Sequence, residues 1–288
     1  MQSNHRAPSP ALQNIVARHY IFGAELPDNF ELVDNLLSET AFIRILLKGD
    51  WAALMPDGSW ANSGPVLLFG SNSRPFKVRC RGSFEVIGVA IRPVGWFSLF
   101  DQPAHLFTDR MVALGDAWGE DSKRLYTAVQ AAEGDDDQVI AAIEEVLLAR
   151  VAARPKAHSD PQMLAFEQIA RYDSTRKIGE VCAEIGIAQH ALERHCRATF
   201  GMTPKRVLRR SRFLDMASVM RGLFTPDDEV LAELRYSDQS HLNKEFREFI
   251  GMTPGQFMQT PTPLLTAGLE LRNGLRYRDP AAELLAKG

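Results

Sequence analysis

The chain has 288 residues, with 33 Lys and Arg against 36 Asp and Glu for a net charge of −3. That length accommodates two domains, and an apolar content of 45% excludes a disordered or fibrous chain. No apolar run reaches the length of a membrane span, and the polar, proline-containing start from Met1 to Pro10 lacks a signal-like apolar core. We therefore expect a cytoplasmic protein without a membrane partner. Cys80, Cys182 and Cys196 are too scattered for a disulfide framework or a metal-ligand spacing, so they read as reduced thiols with no metal or cofactor.

From about Ile15 to Val94 the pattern is strand-like. Candidate strands are 42–47, 51–54, 66–70, 76–80 and 84–91, separated by turn residues at Pro56-Asp57-Gly58, Gly64-Pro65 and Arg81-Gly82-Ser83. This predicts a small antiparallel barrel or sandwich. Apolar residues three and four apart then predict helices over 123–131 and 137–151, joined by an acidic turn. Their apolar stripes require a cover, supplied either by a second copy of the chain or by their own barrel. The predicted fold class is α+β in two domains: a β-rich sensor or dimerisation domain over 1–152 resembling a small cupin-like barrel with two helices, a linker over 153–160, and an all-α domain over 161–262. Residues 263–288 form a C-terminal tail that is either flexible or folded back.

The second half is signposted by caps and prolines. Asp160-Pro161 opens a helix to about Tyr172, a short helix runs from about Arg176 to Ile185 before Gly186, and another spans Gln189 to Phe200 before Gly201. Pro204 opens a long basic helix to about Met220. Thr225-Pro226-Asp227-Asp228 starts a further helix ending near Leu234, Gln239 to Ile250 forms the next, and Pro254 opens a last short one.

Within this half one passage occurs twice. Arg197-Ala198-Thr199-Phe200-Gly201-Met202-Thr203-Pro204 returns as Arg247-Glu248-Phe249-Ile250-Gly251-Met252-Thr253-Pro254. Each copy closes a helix that follows another short helix. The first helix of each pair offers a broad apolar face: Ile178, Val181, Cys182 and Ile185 in one, Val230, Leu231 and Leu234 in the other. The second buries only a narrow stripe, Leu192 and Cys196 or Leu242 and Phe246. A helix backed by apolar contacts and polar in front can enter a major groove, and two such units suit a duplex whose groove returns to one face after about 34 Å. The helix from Pro204 to Met220, at about 1.5 Å per residue, spans roughly 25 Å between them. From Arg194 to Arg212 the basic residues Arg194, Arg197, Lys205, Arg206, Arg209, Arg210 and Arg212 occur without an acid between them, which next to such units reads as a phosphate-facing surface.

These segments resemble the AraC/XylS family of transcription regulators. The match lies in 192–197 followed by Gly201-Met202-Thr203-Pro204, and in 237–247 followed by Gly251-Met252-Thr253-Pro254. It covers roughly Pro161 to Pro261 and implies a bipartite helix-turn-helix domain that inserts two recognition helices into successive major-groove segments. By that resemblance His190, Glu193, Arg194, Ser240, Asn243 and Lys244 fall at base-contacting positions. Gln189, Arg197, Gln239 and Arg247, with the basic residues Lys205, Arg206, Arg209 and Arg210, are assigned to the DNA backbone. Cys196 replaces a usual aromatic, Arg235 stands where a turn glycine is usual, and Lys244 replaces a usual arginine, which loses bidentate recognition.

The block from Ile87 to Trp118 resembles the β-rich sensor regions attached to many such regulators. Trp51, Trp60, Phe69, Phe76, Phe84 and Trp96 could line an apolar ligand pocket, core packing being the stronger expectation. His5, His19 and His105 are isolated, so no catalytic residue is assigned and an enzyme is not expected. Implied partners are double-stranded DNA, RNA polymerase, a small-molecule effector and a second copy of the chain. Two alternatives stay open: a DNA-binding adaptor controlled by a protein partner, and a cupin-like enzyme with an accessory helical domain.

Overall fold

The computed structural model describes residues 2–276 other than 56, 63, 133, 155–159, 224, 226–233, 235 and 237. The N-terminal domain is one antiparallel sheet of eight strands: β1 (Gln2–Arg6), β2 (Val16–Ala24), β3 (Glu31–Leu36), β4 (Phe42–Leu54), β5 (Trp60–Ala61), β6 (Val66–Phe69), β7 (Phe76–Ile91) and β8 (Met111–Ala113). Its main path is β1-β2-β7-β4-β6-β8, with β3 also on β7 and β5 on β4. The path is open, so the expected barrel is an approximation to a curved sheet.

Two turns expected from sequence are instead bends within strands. Arg81-Gly82-Ser83 lies inside β7, and the break expected between 47 and 51 lies inside β4, where the pairing with β7 shifts register between Leu46 and Lys48 and again between Lys48 and Asp50. Extra residues kink a strand without ending it. Gly49 makes the kink feasible, because its φ is +98° and a Cβ there would lie 2.5 Å from the Ser83 carbonyl oxygen. The segment 2–6, read as a polar terminus, pairs along β2 as β1.

Strand alternation sends side chains to two cores. Ile43, Ile45, Ile87 and Val89 meet Trp96, Leu99, Phe100, Leu125, Ile143 and Leu147 on the helical side. These come from α1 (Trp96–Leu99) and Phe100 just after it, α3 (Glu120–Ala131) and α4 (Asp136–Ala152), with α2 (Leu114–Trp118) closing the edge. The stripes of α3 and α4 are thus covered by their own sheet. On the opposite face Phe42 and Val86 join Phe22, Trp51, Phe69 and Phe84.

The C-terminal domain begins with α5 (Pro161–Tyr172), where the Asp160 carboxylate accepts from the Gln162 and Met163 amides. It continues through α6 (Ile178–Ile185), α7 (Gln189–Thr199), α8 (Pro204–Met220), α9 (Gln239–Ile250) and α10 (Pro254–Gln259). The Thr203 hydroxyl caps α8, and Thr253 with Gln256 forms a reciprocal capping box on α10. Residues 226–233 of the helix expected over 225–234 and the turn at Arg235 lie outside the described residues, as do 155–159 of the linker. Last comes α11 (Pro263–Arg276), so the described part of the tail is folded back: Leu264 enters the second sheet core and Leu265 and Leu269 pack against α8 residues.

Candidate nucleic-acid interface

Each candidate reader is held from behind by a compact core. Leu192 and Cys196 of α7 pack with Met163, Phe166, Val181 and Phe200. Phe246 and Phe249 of α9 pack with Phe213 and Phe257, the Phe213 ring lying 4.9 Å from Phe246 and 5.1 Å from Phe249. Burial pushes the Cys196 thiol up, away from the reactive thiolate. The His195 ring makes a 2.9 Å contact with Asp160, tying α7 to the start of α5. At α9 the Asp238 carboxylate accepts from the His241 amide at 2.7 Å, fixing the first turn.

The opposite faces remain open. Gln189, His190, Arg194 and Arg197 are exposed on α7, while Glu193 is half-buried and accepts from Gln189 Nε2 at 3.2 Å. On α9 Gln239, Ser240, Lys244 and Arg247 are exposed, with Asn243 half-buried. Lys205 is exposed at the start of α8.

The remaining basic residues are placed differently from the sequence reading. Arg210 is fully buried and donates to the carbonyl oxygens of Asn72 at 2.9 Å, Ser38 and Glu39, which are in the N-terminal domain. Its assignment to the DNA backbone is therefore corrected. Burial outweighs its neighbours' effects and brings its pKa down to about 10, so it stays charged. Arg206 and Arg209 are half-buried: both pair with Glu248, Arg209 also with Glu245, and Arg206 donates to the Ser73 carbonyl. Their guanidiniums lie 4.7 and 5.8 Å from the Phe249 ring, bracing α8 against α9. The acid-free run in sequence meets its acids in space.

The two domains share further polar contacts. Ser71 and Thr108 hydroxyls donate to the carbonyls of Phe200 and Gly201 at 2.7 and 2.8 Å, and Asn35 Nδ2 donates to the Ile250 carbonyl at 3.2 Å. Buried Asp34 accepts from the first amides of α11, Leu264 at 2.8 Å and Leu265 at 3.3 Å. Arg272 of α11 binds Glu39 on one side and Asp215 on the other, the latter at 2.9 Å. Between the domains lies a cavity of about 170 Å³. Of the aromatic residues singled out in the sequence, Trp51 lines it, whereas Phe69, Phe76, Phe84 and Trp96 are core residues. Among the described residues no group of His, Cys, Asp and Glu is arranged to hold a metal ion, and no helix is long and apolar enough to cross a membrane.

Residues 181–260 match a family described as a helix-turn-helix domain, and residues 4–113 match a domain of unknown function (DUF6597). No curated protein matches the sequence. Among solved structures, ToxT from Vibrio cholerae O395 is 12% identical with a TM-score of 0.46, over 86% of this chain and 98% of that one. ToxT from V. cholerae strain SCE256 with an unsaturated fatty acid bound is 12% identical with a TM-score of 0.47, over 86% and 96%. The AraC-like transcriptional activator CuxR is 14% identical with a TM-score of 0.26, over 74% and 86%.

The fold and this match together define a chain with an N-terminal β-sheet domain and a C-terminal helix-turn-helix domain.

Proposed function

We propose that this chain regulates transcription by laying α7 and α9 into successive major-groove segments, with the N-terminal domain governing their engagement. The observation that carries this reading is the pair of helices backed by separate apolar cores and polar on their outer faces. His190, Glu193, Arg194, Ser240, Asn243 and Lys244 are the base-facing set. Gln189, Arg197, Lys205, Gln239 and Arg247 are the phosphate-facing set, with Arg206 and Arg209 joining only if their carboxylate partners release them. Control through the N-terminal domain, rather than through a protein partner alone, is favoured by the cavity at the junction. Contact with RNA polymerase belongs to the same reading and is measured by transcription from a bound promoter in a purified system.

Selection of bound sequences from a random DNA pool is expected to return two short elements about one helical turn apart, and failure to enrich any sequence overturns the reading. Arg194→Ala is expected to cost about 1 to 3 kcal/mol on the selected site and to relax preference at one position. Lys205→Ala is expected to weaken all sequences alike and to lower the salt slope by about one, and equal effects from both variants would contradict the division between base and phosphate contacts.

A further inference from the structure

The carbonyls that close α7 and α9 are held in the same way at equivalent places in the repeat. Phe200 and Ile250 precede Gly201 and Gly251 in the two copies, and each carbonyl oxygen accepts a side-chain donor from the sheet domain. Ser71 Oγ donates to Phe200 at 2.7 Å, and Asn35 Nδ2 donates to Ile250 at 3.2 Å. Thr108 adds a bond to the first turn, on the Gly201 carbonyl at 2.8 Å. The final carbonyls of a helix have no partner within it, so donors from another domain can hold that end.

The three donors belong to one connected assembly. Asn72, next to Ser71, donates its amide to the Ser38 carbonyl at 3.0 Å and accepts the Ser38 amide on Oδ1 at 3.0 Å, which ties the segment after β6 to the segment after β3. Asp109, next to Thr108, accepts the Ser73 amide at 2.7 Å and the Ser73 hydroxyl at 2.6 Å. Its φ of +58° is uncommon outside glycine, and these bonds hold it there. Arg210 of α8 enters the same joint, donating to both the Ser38 and the Asn72 carbonyls. The sheet domain thus grips the turn after α7, the body of α8 and the turn after α9 from one surface.

Within the helical domain α7 and α9 pack in separate apolar clusters. They are joined by α8, whose Val207 and Leu208 belong to the first cluster and whose Phe213 and Leu214 belong to the second. A helix of 17 residues fixes a length of about 25 Å. The angle between bodies at its two ends is a softer coordinate, because helices of this length curve and bend.

We infer that Asn35, Ser71 and Thr108 are positioning residues for DNA binding: by holding both closing turns on one surface, they set the spacing and rotational phase of the two DNA elements that the chain accepts. This rests on α7 and α9 being the groove-entering pair, and it adds a role for the sheet domain that needs no bound effector. Moving one element by one base pair shifts it by about 3.4 Å and turns it by about 35° around the duplex. Two helices held at a fixed angle cannot follow that move without losing base contacts, whereas two helices joined through α8 alone can.

The full chain is measured against duplexes carrying the two elements it selects, at the selected spacing and with one base pair inserted or removed between them. The parent is expected to lose about tenfold or more in affinity on either altered duplex, because a misplaced element forfeits at least one good base contact. Asn35→Ala and, separately, Ser71→Ala combined with Thr108→Val are each expected to narrow that penalty to about threefold or less, with base preferences inside each element unchanged. Thr108→Ser keeps the hydroxyl and is expected to keep the parent's penalty. Ile143→Val trims the core between α4 and the sheet and touches neither turn, so it too is expected to keep the penalty, which separates positioning from general destabilisation. The two turn variants act on opposite turns, so a folding failure in one leaves the other to decide. A penalty unchanged in the folded turn variants overturns the proposal, as does equal narrowing in Ile143→Val, or a parent that binds all three spacings alike. A parent that selects no sequence at all removes the groove-entering reading and this proposal with it, whereas a parent that selects paired elements leaves that reading standing whichever way the variants behave.

Discussion

Arg272→Met is expected to lower the unfolding free energy by about 3 to 5 kcal/mol, because removing one partner of a buried ion pair strands the others. Arg272 donates to Asp215 from Nε at 3.0 Å and Nη2 at 2.9 Å, and to Glu39 from Nη1. Asp215 retains the Ser174 hydroxyl at 3.0 Å, and Glu39 retains Ser211 at 3.1 Å, and neither supplies a positive charge. Since Asp215 is on α8, Glu39 in the sheet domain and Arg272 on α11, the variant loosens both domains from the tail at once. The urea midpoint measures the loss. Adding Glu39→Gln to Arg272→Met is expected to recover part of it, and a strictly additive further loss would show that the two residues do not act as a pair.

Acid sensitivity follows from the same cluster. Burial alone would raise the Glu39 pKa, but the field and hydrogen bonds of Arg272, then Arg210 and Arg171, hold it at about 2. The unfolded chain therefore binds the extra proton first as pH falls, so this carboxylate's contribution is complete above about pH 4.5 and is lost on the way down toward pH 2. In Arg272→Met the largest influence opposing burial is gone and only Arg210 and Arg171 remain, so the Glu39 pKa rises from that value. Loss of the folded state is then expected to begin at higher pH than in the parent, and coincident acid transitions would contradict the assignment.

Gly201→Ala is expected to cost more than Gly251→Ala, although the two positions are equivalent in the repeated sequence. The two glycines follow α7 and α9 with positive φ, +80° and +74°, which a side chain adopts at a cost of about 1 to 2 kcal/mol. A Cβ on Gly251 would meet nothing nearer than Pro75 Cγ at 3.8 Å. A Cβ on Gly201 would lie 2.2 Å from Thr108 Oγ1 and 2.9 Å from Ser71 Oγ, the hydroxyls that bind the turn after α7 to the sheet domain. Overpacking adds about 1 to 3 kcal/mol there. Thermal unfolding of the two variants compares them directly, and equal losses would mean that the domains part without cost at this contact.

The C-terminal domain was legible because its signals are local. Asp160, Thr203 and Thr253 cap the helices they precede, Pro204 and Pro254 open theirs, and Gly186, Gly201 and Gly251 close theirs in left-handed geometry. The exposed faces of α7 and α9 follow from which positions remain once Leu192, Cys196, Phe246 and Phe249 are buried. In the sheet domain alternation located the strands, yet Gly82 looked like a turn and lies inside β7. A bend and a reversal use the same residues, and only the partner strand decides between them.

What the sequence determined by itself is the pair of helices α7 and α9 with their polar outer faces and the alternating sheet, since caps, periodicity and turn chemistry act over a few neighbouring residues. What only the tertiary structure decided is where the charges go. Arg210 and Arg206 are separated from Asn72 and Ser73 by more than a hundred residues, Arg272 is still farther from Glu39, and Arg44 gains its aromatic surroundings from three places on two strands. A guanidinium reads the same in sequence whether it meets a phosphate, a carbonyl or a carboxylate. Its partner is set by the packing of distant segments, because a buried charge is tolerated only where the fold or a ligand answers it.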